Sequence, residues 1–170
     1  SAFFGGLDVA RRRSHSDGAP LTLLLPPDEA GLQHAAQILR AGGLVAFPTV
    51  SRDSNLPLIA WTEAYLRGFG LSPVRVPNAD GTKASIYVSA GPDVRGGVIL
   101  SGHSDVVPVD GQVWTSDPWT LTERGGRLYG RGTADMKGFV ALMLAAVPMA
   151  LAAGVKRPLQ LAISYDEEVG

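Results

Sequence analysis

Five polar residues in three short segments carry side chains that could perform hydrolytic chemistry around a metal ion. They are His103 and Asp105, then Asp135, then the adjacent pair Glu167 and Glu168. His103 and Asp105 are two residues apart, so an extended segment places both side chains on the same face. A carboxylate beside an imidazole can accept its free N–H group, which fixes the tautomer and raises the basicity of the metal-binding nitrogen. Because the sequence has no cysteine, any metal must be held by His, Asp or Glu.

The second and third segments place carboxylates where a predicted helix begins and where a predicted strand ends. Asp135 precedes an apolar helical pattern, and the exposed N–H groups of a first helical turn favour a negative charge. Glu167 and Glu168 follow the apolar run 159–163, and we expect their side chains to diverge, one towards a metal and one towards a bound water. Taken singly, such residues are more often a surface hydrogen bond, a helix cap or a solvated face. Together, at strand ends, they favour a zinc or hard-metal site.

These segments require an open α/β sheet, in which ligands bind beyond the carboxyl ends of the strands. Asn55 or Ser54 is expected to cap the second helix, and residues 42–43 to end the first. Alternating helices and strands predict an α/β fold in three layers, with flanking helices around a mixed, largely parallel sheet. Apolar periodicity predicts helices near residues 29–41, 55–69 and 136–153, and strands near residues 73–76, 84–89, 98–101, 127–129 and 159–164.

The composition excludes several classes of function. The formal net charge is −1, and the only basic run, residues 11–13, is interpreted as part of a solvated tail, so no nucleic-acid partner is expected. No apolar run approaches the ~20 residues that span a membrane, so no membrane partner is expected. Residues 1–4 lack the charged-then-apolar order of a secretory signal, and a cytoplasmic location fits.

The polar segments lie within longer motifs that resemble the M20 family of metallopeptidases and amidohydrolases, above all its acetylornithine deacetylases. The motifs fall within residues 44–170 and are residues 47–55 (FPTVSRDSN), residues 102–107 with Trp114, residues 117–119 (DPW) and residues 130–138 (GRGTADMKG). The resemblance implies a zinc-peptidase-like catalytic domain that removes the acyl group from a small N-acyl amino acid. Specifically, it implies conversion of N-acetylornithine to ornithine and acetate, a step of arginine biosynthesis.

The resemblance also implies a role for each polar residue. His103 is expected to ligate one zinc ion, Glu168 to ligate the other, and Asp135 to bridge the two. Asp105 is expected to support His103, and Glu167 to act as the general base that takes a proton from water and passes it to the departing amine. The implied cofactor is zinc, two ions in the intact family, with cobalt able to replace it. A cis peptide bond directly after Asp135 is implied in the same way.

Comparison with the family pattern leads to an expectation about domain organisation. Residues 44–170 are expected to be the N-terminal part of the catalytic domain, ending before the second domain that closes over substrate and forms dimers in the family. Two further metal ligands of the family, one acidic residue and one histidine, are expected beyond Gly170. We therefore expect this chain alone to bind metal weakly and to turn over little substrate, and an intact parent to be a homodimer.

Residues 1–43 are expected to be a tail and helix of uncertain origin. Residues 21–49 resemble the opening of the threonylcarbamoyl-adenylate synthase family, which suggests a chimera joined near residue 44; the alternative is an ordinary first helix of the hydrolase. In a chimera the helix at residues 29–41 should pack poorly, with Leu32, Ile38 or Leu39 partly exposed.

Other functions stay open at the level of sequence. Within the same family, succinyl-diaminopimelate desuccinylase or carboxypeptidase activity would fit the same motifs. A non-catalytic binding domain is disfavoured because no structural need places Glu167 beside Glu168. A threonylcarbamoyl-adenylate synthase fragment would cover only the first third of the chain and would lack its own site.

Overall fold

A computed structural model describes residues 29–40 and 42–170, which form a sheet packed against three helices. The helices are α1 (Glu29–Leu39), α2 (Leu56–Gly68) and α3 (Lys137–Ala152), and single 3-10 turns occupy Leu44–Ala46 and Glu167–Val169. The strands are β1 (Val74–Pro77), β2 (Ala84–Ala90), β3 (Val98–His103), β4 (Thr122–Arg124), β5 (Arg127–Tyr129) and β6 (Leu159–Ser164). Each predicted helix and strand is confirmed, with ends that differ by a few residues.

The main sheet has the strand order β1-β2-β6-β3, while β4 and β5 form a separate antiparallel pair. β2 is antiparallel to both β1 and β6, whereas β3 and β6 run parallel. The predicted mixed α/β sheet with flanking helices is therefore confirmed. Only one pairing among the described strands is parallel, so this part of the sheet is less parallel than predicted.

The helices cover one face of the main sheet. Side chains alternate in and out of the core along β2, whose buried residues are Ala84, Ile86, Val88 and Ala90. These pack with Leu161 and Ile163 of β6 against apolar residues of α2 and α3. The opposite face, which carries Val74, Val76, Tyr87 and Ile99, is exposed. Within the described residues the sheet and the helices thus form two layers, and no helix covers the exposed face as a third.

Helix α1 packs on α3. Its residues Ala35, Ile38 and Leu39 are buried, because their spacing places them on one side of the helix. Leu32 is only half-buried, as expected, but the expectation of poor packing is wrong for Ile38 and Leu39. The chimera hypothesis, which predicted a loosely attached helix, is not supported. The expectations for residues 1–28 lie outside the described residues.

Asn55 occupies the expected N-cap position of α2. Its amide side chain makes no cap hydrogen bond and instead pairs with the backbone of Ala84, with N–O distances of 2.8 and 2.9 Å. It also donates to the hydroxyl of Ser104. The cap is provided by Ser54, whose Oγ accepts the N–H of Leu56 at 3.3 Å. Asn55 therefore ties the start of α2 to the sheet and to the loop after β3.

None of the helices within residues 29–40 and 42–170 has the length and apolar character needed to cross a membrane.

Candidate metal centre

The parallel pairing of β3 and β6 brings two of the polar segments together. His103, the last residue of β3, lies opposite Ser164, the last residue of β6. The N–H of Ser104 donates to the carbonyl of Ser164 at 2.9 Å, which extends the pairing by one step. Because both strands end at the same edge, the turn carrying Glu167 and Glu168 begins beside His103.

The imidazole of His103 is buried, and its two ring nitrogens have different neighbours. Its Nδ1 lies 3.0 Å from the backbone oxygen of Asp105 and 3.4 Å from the carboxylate Oδ1 of the same residue. Its Nε2 lies 3.2 Å from Oδ1 of Asp135 and 3.5 Å from Oε2 of Glu167. With Nδ1–H donated to Asp105, the lone pair of Nε2 points towards the two carboxylates, and Nε2 is the nitrogen that can bind a cation.

Asp105 is the organising group behind the centre. Its carboxylate accepts the hydroxyl of Ser51 at 2.7 Å and the backbone N–H groups of Glu167 and Glu168, each at 3.2 Å. The residue is only 2% exposed, and these donors satisfy a carboxylate that would otherwise be costly to bury. One side chain therefore orients both the imidazole and the turn that carries the glutamates.

Asp135 reaches the centre from the loop that leads into α3. The Asp135–Met136 peptide bond is cis, as the family resemblance implied. The loop is held by the N–H of Lys137, which donates to the carbonyl of Gly132 at 2.7 Å. A shallow pocket lined by Val107, residues 130–135 and Glu168 opens beside it, and Asp135 is the most exposed carboxylate of the group.

The donor set fits a zinc or similar divalent cation. Ligand atoms of His103, Glu167 and Glu168 all lie within 4.8 Å of one another, and Asp135 adds a third carboxylate. Burial, followed by the charge of Asp135, raises the pKa of Glu168 above its ordinary value. Crowded carboxylates beside an imidazole are stabilised by a bound cation, and nitrogen with oxygen donors suits zinc.

The structure brings all five predicted site residues to one place, although their individual roles remain predictions. One carboxylate oxygen of Glu167 and one of Glu168 lie within 4.8 Å of each other and of a ring nitrogen of His103. Both residues reach the centre because they lie in a 3-10 turn rather than on an extended strand, where neighbours alternate between faces.

Sequence reasoning missed residues that support the centre without entering it. Ser51 donates to Asp105, and Thr49 donates through its hydroxyl to the carbonyl of Ser104 at 2.6 Å. Lys137 is buried, donates to the carbonyl of Phe47 at 2.6 Å, and has its pKa lowered to about 7 by burial. A lone lysine in the otherwise apolar 136–153 segment was the available signal for Lys137. Ser51 lies in the motif at residues 47–55, but its contact with Asp105 arises only in the folded chain.

The part of the chain that carries the centre is similar to a known protein family. Residues 99–170 match peptidase family M20/M25/M40. The match includes all five residues of the centre. Over these residues the chain is therefore similar to peptidases of this family.

Solved structures share the fold across most of the chain. Human carnosine dipeptidase 1 is 28% identical, with a TM-score of 0.69 over 83% of this chain and 33% of its own. An M20 family metallo-carboxypeptidase from Sulfolobus solfataricus is 21% identical, with a TM-score of 0.66 over 84% of this chain and 32% of its own. A tripeptidase from Staphylococcus aureus is 16% identical, with a TM-score of 0.62 over 82% of this chain and 38% of its own. The chain spans about a third of the length of these M20-type and peptidase structures.

Proposed function

We propose that the chain is part of a zinc-dependent amidohydrolase of the M20 type that removes the acyl group from an N-acyl amino acid. The substrate we propose is N-acetylornithine, which would yield ornithine and acetate in arginine biosynthesis. The observation that supports hydrolysis is the gathering of three carboxylates around the imidazole of His103 at the end of two parallel strands. The proposed substrate rests on the likeness of residues 44–170 to acetylornithine deacetylases.

The proposed ligands are His103 through Nε2, Asp135 and Glu168. A zinc ion held there would act as a Lewis acid on the amide carbonyl and would lower the pKa of a nearby water. Asp105 would keep the imidazole in the tautomer that leaves the Nε2 lone pair free. Its own hydrogen bonds to the glutamate N–H groups would hold the carboxylates in place.

Glu167 is the proposed general base. Its side chain is 60% exposed, so its carboxylate is accessible to water while it lies 3.5 Å from Nε2 of His103. It would accept a proton from the attacking water and deliver that proton to the amine nitrogen as the C–N bond breaks. With this proton the nitrogen leaves as a neutral amine, which is a far better leaving group than an amide anion.

A second candidate is hydrolysis of a short peptide. The observation that favours it is the 28% identity to human carnosine dipeptidase 1 over 83% of this chain. Both reactions cleave a linear amide with the same residues, so the centre fits either one. A non-catalytic binding domain is a poorer fit, because binding alone does not require an exposed carboxylate beside a buried metal-binding imidazole.

The deciding experiment is titration of the metal-free chain with Zn²⁺ by calorimetry, followed by product analysis with N-acetylornithine and with an unmodified dipeptide. We expect zinc binding that His103→Ala removes, together with slow, zinc-dependent release of acetate that Glu167→Gln removes. Preferential cleavage of the dipeptide would favour the second candidate. The proposed centre would be contradicted if the chain binds no zinc, or if His103→Ala binds zinc as tightly as the wild type does.

A further inference from the structure

The turn that carries the two glutamates begins with an unusual backbone conformation. Asp166 has φ 60° and ψ 26°, and it is the only residue other than glycine with a positive φ among the described residues. A left-handed conformation is uncommon for residues with a side chain, although Asp and Asn tolerate it better than most. Without an external contact, the chain at Asp166 could therefore relax and carry Glu167 and Glu168 away from His103.

Lys83 supplies such a contact. Its ammonium donates to Oδ1 of Asp166 at 2.6 Å and also to the backbone carbonyl of Ser51. The Lys83 side chain is 15% exposed and that of Asp166 is 34% exposed, so the pair is shielded from much of the solvent. Exposed ion pairs contribute little because water screens them and the side chains must be ordered. A mostly buried lysine with two fixed acceptors is better placed to hold a conformation.

These contacts close a ring around the glutamate turn. Ser51, whose carbonyl accepts from Lys83, donates its hydroxyl to Asp105. Asp105 in turn accepts the N–H groups of Glu167 and Glu168, the residues that directly follow Asp166. The turn is thus held from one side by Asp105 and from the other by Lys83, and Ser51 connects the two anchors.

We propose that Lys83 is a positioning residue of the metal centre, which it serves by fixing Asp166 so that Glu167 and Glu168 stay beside His103. The part of this inference that concerns metal binding rests on the proposed function. The part that concerns the turn does not, because the ring of hydrogen bonds exists without a metal. Lys83 itself touches neither the cluster of ligand atoms nor the pocket beside it.

The test compares Lys83→Met with Lys83→Arg, Asp166→Asn and the double variant Lys83→Met/Asp166→Asn. Lys156→Met is the matched control, since it removes an exposed lysine that precedes β6, whereas the turn follows the other end of that strand. Asp166→Asn keeps the shape of the side chain and a residue that tolerates the left-handed conformation, while it removes the charge. It remains informative if Lys83→Met fails to fold.

The first measurement is amide hydrogen exchange in the metal-free full chain. We expect the amides of Glu167 and Glu168 to exchange about tenfold faster in Lys83→Met, and amides in the middle of α3 to keep their wild-type rates, because local opening is independent of global unfolding. Lys83→Arg should restore part of the protection, and Lys156→Met should match the wild type. Uniform acceleration across the chain, or none at the turn, would overturn the proposal.

The second measurement is the affinity of each variant for Zn²⁺. Loss of a supporting partner typically weakens metal binding about 10–100-fold, and we expect that range for Lys83→Met and for Asp166→Asn. The double variant should lose no more than the larger single loss, because both substitutions break the same contact. Additive losses would show that Lys83 does not act through Asp166. If the wild-type chain binds no Zn²⁺, the proposed function fails, while hydrogen exchange still decides whether Lys83 holds the turn.

Discussion

The carboxylate of Asp105 lies 3.4 Å from Nδ1 of His103, on the side of the imidazole that faces away from the other acidic residues. Its two oxygens also accept the N–H groups of the turn after β6. The imidazole and the glutamates, which are more than sixty residues apart in the chain, therefore share one buried anchor. A change at this anchor should disturb both halves of the centre at once.

Asp105→Asn tests that anchor. An asparagine of the same size presents an NH₂ group where the carboxylate accepted hydrogen bonds, so at least one of the three donors loses its partner. We expect the affinity for Zn²⁺ to fall about 10–100-fold, measured by calorimetry on the metal-free chain. Asp110→Asn, which alters an exposed carboxylate paired with Arg52, is the control and should bind as the wild type does. Equal effects of the two substitutions would argue against a special role for Asp105.

His103→Ala should have a larger effect on metal binding. Because it removes the proposed nitrogen ligand itself, we expect a loss beyond the roughly 100-fold upper range of a supporting residue. His34→Gln is the control, since His34 contacts Tyr65 in the helical layer and not the centre. Visible absorption of the Co²⁺-loaded chain gives an independent readout, because the spectrum reports on the ligands. An unchanged spectrum in His103→Ala would place the metal elsewhere.

Gly138→Ala should disturb the loop that carries Asp135. An added Cβ at Gly138 would lie 2.2 Å from the backbone oxygen of Thr133, and a backbone atom cannot move aside cheaply. We expect a loss of about 1–3 kcal/mol in the free energy of unfolding, measured by urea denaturation. Gly68→Ala, at the end of α2, meets no atom within 4 Å and should stabilise the chain by about 0.4–1 kcal/mol. A neutral Gly138→Ala would mean that the loop packs more loosely than described.

Ile38→Ala tests whether α1 is an integral part of the fold. Ile38 is buried between α1 and its neighbours, so truncation should cost about 2–5 kcal/mol in the free energy of unfolding. Gln37→Ala, one residue earlier on the exposed side of the same helix, should change it by less than about 0.5 kcal/mol. If neither substitution changes the free energy of unfolding in urea denaturation, α1 does not belong to the cooperative unit.

The pH dependence of stability should carry a signature of Tyr65. Burial raises the pKa of its hydroxyl to about 12 from the ordinary 10.0, and that hydroxyl donates to the carbonyl of Leu144 at 3.2 Å. In the folded chain the phenol keeps its proton at pH values where the unfolded chain loses it. Its contribution is therefore complete below pH 10 and is lost as the pH rises towards 12.

Replacement by phenylalanine should remove this contribution. We expect the free energy of unfolding of Tyr65→Phe to fall less steeply between pH 10 and pH 12 than that of the wild type. Tyr87→Phe changes an exposed tyrosine of the open sheet face and serves as the control. Parallel curves for Tyr65→Phe and the wild type would show that burial of this hydroxyl does not affect alkaline stability.

The sequence by itself determined the elements and the chemistry at their ends. Strand β6 was predicted with its observed bounds. In an α/β pattern, a short apolar segment bounded by polar residues is typical of a buried strand. His103, Asp135 and Glu168 were predicted as metal ligands in the same way, because that prediction depends only on residue identity and on nearby strand or helix ends. Local patterns of this kind need no knowledge of which segments meet.

Only the tertiary structure decided what depends on long-range pairing. The register of β3 against β6 sets His103 opposite Ser164, and no local pattern encodes a partner some sixty residues away. Asparagine often caps helices through its side chain, yet here the amide of Asn55 satisfies the buried backbone groups of Ala84, which would be costly to leave unpaired. Lys83 likewise looks like an ordinary surface lysine until the fold places Asp166 beside it, because its contact spans eighty-three residues and exists only in the folded chain.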